Sequence, residues 1–460
     1  MKGQWKAYAV ALLVIGLIVG AGVGWFLKPI PPPGPEWVSK ADYEAVVSER
    51  DKWKSDYNAL KADYDKLKSE YEALKAAGLS GEVLIGSLMP LSGDLASFGM
   101  CSKVAIDMAV EEVNEFLSKI GAKWRMKVIH EDTETKPDVA LAKLESLAAK
   151  GIKFVIGPQA SAGVKNCKGY CDANKILLIS QSSTSPALAI PNDFVFRFCP
   201  TDLVQGPAIA RVMYDDGVRY IVAVWRGDAW GDGLAEAARK RFEELGGQVI
   251  ETVRYAPEAK EFSAEVKAIA DAVSSAVASY GEDKVGVLLI SFEEAAILFT
   301  SAREYDILWR VRWYGSDGTA LSSDLVEDPA VAEFCVKTRF VNPIFAPTRS
   351  EKYEKVKNRI VAELGTMPDS YAYAAYDIVW TLAYCFLAVD KYDPEAVRAI
   401  LPEVASSLFG ASGNVVLDEN GDRAASDYDL WAIVESEPGK YKWEWVGTYH
   451  FSTDSVTWKI

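Results

Sequence analysis

The sequence predicts an α/β protein with parallel-rich sheets, carried outside a membrane on a helical stalk, and three observations lead there. From Glu82 onward, short apolar runs alternate with amphipathic helical stretches, the rhythm of βαβ units. Near the start, Ala7 to Leu27 is a run of 21 uncharged, mostly apolar residues. Between the two lies a long segment with an unbroken 3,4 spacing of mostly apolar and aromatic residues, which marks a helical seam.

The apolar run comes first. At about 1.5 Å per residue it is long enough to cross a ~30 Å hydrocarbon core. Lys2 and Lys6 precede it, so the positive-inside bias puts the N-terminus in the cytoplasm and the chain beyond Lys28 outside. A cleaved signal peptide is the rival reading, but its apolar region usually spans ~7 to 15 residues before a small-x-small site. Here the run ends in Trp25-Phe26-Leu27 and no Cys follows to carry a lipid. Residues 1–28 are therefore read as an uncleaved anchor. Within it Gly16, Gly20 and Gly24 repeat a spacing that lets two membrane helices approach closely.

Pro29-Ile30-Pro31-Pro32-Pro33-Gly34-Pro35 cannot continue a helix, and residues 29–36 read as a stiff spacer. Residues 37–78 read as a coiled-coil stalk. Tyr43, Arg50, Tyr57, Tyr64 and Tyr71 recur every seven residues, with Val46, Trp53, Leu60, Leu67 and Leu74 interleaved. Self-association through this seam is expected, against the alternative of one amphipathic helix lying on the globular part.

Composition narrows the function. The chain has 460 residues, half of them hydrophobic and a quarter charged, with a net charge of −15; it can bury a large core, and its acidity argues against nucleic acid as a partner. Its two histidines, His130 and His450, stand in no metal-ligand spacing and beside no nucleophile, so no metal, cofactor or catalytic residue is assigned and an enzyme is not expected. The six cysteines (Cys101, Cys167, Cys171, Cys199, Cys335 and Cys385) allow fifteen complete pairings, and none is selected.

In the alternating region the expected strands are Val83–Met89, Lys127–Ile129, Phe154–Ile156, Leu177–Ile179, Ile221–Trp225, Val285–Ile290 and Val311–Tyr314. Helical stretches such as Lys103–Ile120, Ala140–Ala149, Leu234–Leu245 and Ala264–Ala278 separate them. Ligands of such sheets bind beyond the carboxyl ends of the strands. Four ends carry polar or aromatic clusters. Gly157-Pro158-Gln159-Ala160-Ser161 enters a helix, where Ser161 either helps to bind an anion or caps the helix. Ser180 through Pro186 is rich in hydroxyls, with Ser185 placed as an N-cap before a proline. In Gly227-Asp228-Ala229-Trp230-Gly231, Trp230 either stacks on a ligand or staples the next helix. In Gly315-Ser316-Asp317-Gly318, Asp317 either faces a cation or makes an Asp-Gly turn.

Together with Gly86 through Gly93, Phe98-Gly99, Phe194 through Arg197, Thr201-Asp202, Gln205-Gly206, Gly413-Asn414 and Asp418 through Gly421, these segments resemble in their order the type I periplasmic solute-binding proteins of ABC transporters. The similarity is to the leucine/isoleucine/valine-binding group, over about residues 82 to 460. The resemblance implies two α/β lobes joined by three hinge crossings, one at 82–203 and 340–424, the other at 204–339 and 425–460. It implies a binding role for an amino acid or amino-acid-like zwitterion: Ser161 and Thr184 on the ligand carboxylate, the Ser182 carbonyl and Asp317 on the ammonium, Trp230 as cover and Phe98 as lining. Phe292, in Ser291-Phe292-Glu293-Glu294, either adds a wall or is a buried strand-end aromatic. The group commonly has tyrosine where Trp230 stands and often glutamate where Asp317 stands, so branched-chain preference does not transfer with the fold. The implied partner is an ABC permease, with the binding lobes outside the cell membrane; a ligand-sensing ectodomain working with a separate signalling chain is the alternative.

Overall fold

In the computed structural model, residues 40–76 and 78–459 are described. The chain divides into two units, up to Gly78 and from Leu79 onward. The anchor and spacer expected at 1–28 and 29–36 lie outside the described residues. In the first unit Lys40–Ala76 is one continuous helix of 37 residues, about 55 Å long at the standard rise. Val46, Trp53 and Leu60 on its seam are 51%, 57% and 39% exposed; the helix was legible from its heptads, but a single chain shows no second helix against it.

The second unit contains two sheets. β1 (Gly81–Met89), β2 (Trp124–Asp132), β3 (Phe154–Ile156), β4 (Leu177–Ser180) and β5 (Val195–Arg197) form the first, in the order β2-β1-β3-β4-β5, with every pair parallel. The second holds β6 (Tyr220–Arg226), β7 (Gln248–Tyr255), β8 (Val285–Ile290), β9 (Arg312–Tyr314), β10 (Val341–Phe345), β11 (Tyr428–Glu437), β12 (Lys440–His450) and β13 (Ser455–Trp458). Its order is β13-β12-β11-β10-β9-β8-β6-β7. It is parallel from β7 to β10 and antiparallel from β10 to β13. The β3, β4 and β8 strands are buried along their length, which is why they read as continuous apolar runs.

The chain passes between the lobes three times, after β5, after β10 and before β11. β10 belongs to the second sheet, so the return to the first lobe falls after Phe345 and not at the expected 340. Sequence periodicity also missed the antiparallel extension β11 to β13. Once back in the first lobe, Ser370–Val389 packs beside Ala96–Lys119 and the sheet: Phe386 meets Phe154 edge-on at 4.7 Å and Trp124 at 5.9 Å. Among the described residues this helix alone is long and apolar enough to cross a membrane, yet it lies largely within the core. Truncating Phe386, fully buried, would remove about 3–5 kcal/mol by lost transfer energy and cavity formation.

Between β5 and the last crossing, an ion pair ties distant parts of the first lobe. Arg197, with no exposed surface, donates from Nε and Nη2 to the two carboxylate oxygens of Asp422, both at 2.5 Å. Its Nη1 reaches the carbonyls of Ser183 at 3.1 Å and Ser185 at 2.7 Å. The β4 end loop is thereby held by a buried cation. All six cysteines are buried and free.

Candidate functional site

Two first-lobe strand ends meet two from the second. On the first lobe, Gly157 leaves β3 with φ of 91°, a left-handed conformation that favours glycine. Ser161 then opens the helix Ser161–Asn174 without capping it; Ala160 is the cap residue and makes no side-chain bond. The serines after β4 knit the two loops together. Ser180 donates to the Pro158 carbonyl at 2.7 Å and Ser182 to the Gln159 carbonyl at 2.8 Å. Ser161 Oγ accepts from the Ser183 hydroxyl at 3.1 Å and from the Ser185 N–H at 3.3 Å. A hydroxyl offers two lone pairs and one proton; with both lone pairs engaged, the Ser161 proton is left to donate. It does so at a helix N-terminus, where unsatisfied N–H groups and the helix dipole favour negative charge.

Ser185 stands at the expected cap position, with proline at the first helical position. It precedes a single 3-10 turn, Pro186–Leu188, and its side chain does not cap it. Its hydroxyl instead donates across the cleft to the Ala229 carbonyl at 2.6 Å, a stronger use for a hydroxyl on an inter-lobe rim.

On the second lobe, Asp228 caps the helix Ala229–Glu244 by accepting from the N–H groups of Trp230 and Gly231. This fixes Trp230, whose ring stacks on Phe292 at 4.5 Å and 19°. Arg226 lies over the Phe292 ring, 4.7 Å from its centroid. Gly318 packs closely against this wall: a Cβ would come within 2.5 Å of the Ser291 carbonyl oxygen, 2.6 Å of Trp230 and 2.9 Å of Phe292.

Asp317 follows β9. Its N–H donates to Gln205 Oε1 at 3.0 Å and the Tyr371 hydroxyl donates to its Oδ2, while Oδ1 is buried with no partner. Burial pushes the carboxyl up to about 6, against the lowering effect of the Tyr371 and Gln205 bonds. Asp202, with no exposed surface, shares Gln205, accepting from its Nε2 at 3.2 Å. Burial first, then the Asp317 charge, hold Asp202 well above the usual carboxylate range. Burial thus pushes both carboxyls toward the neutral form, and at Asp202 the Arg197 charge only partly offsets it.

The cleft between the lobes is nearly closed, with a cavity volume of about 20 Å³, room for little more than one water-sized group. Phe98, Ser161, Ser182, Trp230, Phe292 and Asp317 line it. Thr184 is the exception among the expected residues. It is buried beside Asp202, whose N–H donates to the Thr184 carbonyl at 2.9 Å, while the Thr184 hydroxyl has no hydrogen-bond partner. Tyr371, Gln159, Leu95 and Gly318 also line the cleft. Gln159 and Gly318 lay inside the strand-end segments singled out from sequence; Tyr371 had no local signal, because it enters from the start of an apolar helix in the other lobe.

Residues 102–436 match the model of the receptor family ligand binding region. An uncharacterized protein of Methanocaldococcus jannaschii is 32% identical over 82% of this chain and 92% of its own. A Leu/Ile/Val-binding protein homolog of Brucella suis is 25% identical over 79% of this chain and 93% of its own. Among solved structures, a leucine binding protein from Thermotoga maritima superposes with a TM-score of 0.65 at 21% identity, covering 79% of this chain and 97% of that one. A branched-chain amino acid transporter substrate binding protein from Streptococcus pneumoniae, in complex with isoleucine, gives 0.65 at 20% identity over 78% and 98%. These likenesses establish the two-lobed type I fold.

Proposed function

The chain belongs to the family of receptor ligand-binding regions, and we propose that it is the extracytoplasmic solute-binding component of an ABC transporter, closing its lobes on an α-amino acid or similar zwitterion. One observation carries this reading: a hydroxyl with only its proton to give, at a helix N-terminus of the first lobe, lines the same small cleft as a buried second-lobe carboxylate with a bare oxygen. Ser161 with the first-turn N–H groups takes the carboxylate, and Asp317 takes the ammonium. The Ser182 carbonyl adds an acceptor, the Trp230 and Phe292 pair forms one wall and Phe98 another. Thr184 acts at one remove, through Asp202.

A zwitterion held at its two ends by different lobes makes its full set of contacts only when they are closed, so binding favours closure by differential contact. An ammonium beside Asp317 also favours the charged form of its carboxyl. The names of the Brucella and Streptococcus relatives support amino-acid binding and a permease as recipient. The run at 7–27 would anchor the protein in the membrane, with the stalk at 37–78 holding the lobes outside. A thermal-shift panel of amino acids, amides, short peptides and sugars tests the reading, since a ligand at ~100 times its dissociation constant adds about 2.7 kcal/mol. Free α-amino acids are expected to shift the transition; a panel in which only sugars do so rejects the proposal.

A further inference from the structure

Asp94 lies in the loop between β1 and the helix Ala96–Lys119 and lines no part of the cleft. Two cations of the second lobe nevertheless converge on its carboxylate. Oδ2 accepts from Arg226 Nη1 at 3.1 Å and Oδ1 from Lys260 Nζ at 2.8 Å. Its backbone carbonyl accepts the Glu293 N–H at 3.1 Å, and Ser97, one helical turn's start away, donates to Glu293 Oε1 at 2.5 Å. Arg226 is the same side chain that lies over Phe292, which stacks on Trp230. The aromatic wall of the cleft and the inter-lobe rim are thus one continuous stack ending on Asp94.

We infer that Asp94 is a positioning residue that latches the closed lobes through Arg226 and Lys260 and sets how long a ligand stays, without touching it. The inference rests on the clamp reading above. Its contacts join groups on different lobes, so they stabilise the closed state over the open one. Encounter takes place on the open form, and loss of the latch therefore falls on release and not on capture. Arg226 also bonds Asp228 at 2.9 Å and Glu294 at 2.9 Å within its own lobe. Removing the Asp94 charge accordingly leaves no buried cation stranded, and the variant retains its fold. The Lys260 arm, 65% exposed on the lysine side, is open to screening by salt, whereas the Arg226 arm is buried and far less so.

The test is stopped-flow binding and release of L-leucine and L-alanine by the whole protein, wild type against Asp94→Asn. Release is expected to quicken about tenfold or more, as for loss of one charge-assisted hydrogen bond, with the association rate and the leucine-to-alanine affinity ratio unchanged. Asp94→Glu restores slow release in part. Lys260→Met quickens release less, and only at low salt. An unchanged release rate in Asp94→Asn overturns the latch, and so does an altered leucine-to-alanine ratio, which would mean direct ligand contact. Should neither amino acid bind the wild type, the clamp reading fails by itself, and the latch is read without ligand from amide exchange at Glu293. Faster exchange there in Asp94→Asn, at equal global stability, supports it; equal exchange overturns it.

Discussion

Replacing Asp317 by Asn separates what this residue does for stability from what it does for binding, because the two effects have opposite signs. The carboxyl rises from 3.8 to about 6, chiefly through burial, and each pH unit is worth about 1.4 kcal/mol, so its ionisation opposes folding by at most about 3 kcal/mol. Its native pKa lies above the unfolded value, so the native state binds more protons between the two and stability falls as pH rises across that window. Asn keeps an acceptor for the Tyr371 hydroxyl and carries no charge. Urea unfolding of the ligand-free variant at pH 8 is therefore expected to show a gain of up to about 3 kcal/mol that vanishes near pH 4, where both side chains are neutral. Amino-acid affinity at pH 8 should instead fall by roughly 10- to 150-fold, the loss of a charged hydrogen-bond partner worth about 1.5–3 kcal/mol. A variant that is less stable than wild type at pH 8, or that binds as tightly, refutes this account of Asp317.

Other consequences follow from the same geometry. Ser161→Ala removes the one free proton of the serine cluster and should weaken binding about tenfold in calorimetry; by leaving the Ser183 hydroxyl and the Ser185 N–H without their acceptor, it should also lower stability by about 1–3 kcal/mol or more. Gly318→Ala drives a methyl against the Ser291 carbonyl and the Trp230 and Phe292 rings, and a crystal structure should show this wall displaced, with weaker binding of every amino acid tested. Arg197→Ala strands the buried Asp422 carboxylate and should cost about 3–5 kcal/mol in denaturant unfolding. For the stalk, chemical crosslinking should give dimers or higher oligomers with residues 1–78 present and monomers without them; monomers in both would remove the coiled coil.

The parts of the site that could be read from sequence are those where one short segment does the whole job. Gly157 through Ser161 and Ser180 through Pro186 each leave a buried strand and turn within a few residues, so glycine, proline and hydroxyls mark them. Trp230 and Asp317 stand at equivalent ends in the second lobe. What stayed hidden depends on contacts between segments. Tyr371 reaches Asp317 from 54 positions away, and at the start of an apolar helix it reads as core. Thr184, off the cleft lining, accepts at its carbonyl the N–H of Asp202, which arrives on the first hinge crossing. Ser185 has the local signature of a cap, but the Ala229 carbonyl of the opposite lobe takes its hydroxyl. In the fold, parallel strands announced themselves by apolar runs, whereas β11 and β12 form a hairpin whose outer ends are exposed, so their pattern gave no such run.

The central claim is that both ends of a zwitterion are held, one by each lobe. Isothermal titration of the protein at pH 8 with a free α-amino acid that shifts its melting, with the N-acetyl derivative of that amino acid and with its carboxamide tests this most directly. The free amino acid is expected to bind, with a loss of about 1.5–3 kcal/mol or more for each blocked form, the first lacking the ammonium for Asp317 and the second the carboxylate for Ser161. Equal affinity for either blocked form contradicts the claim.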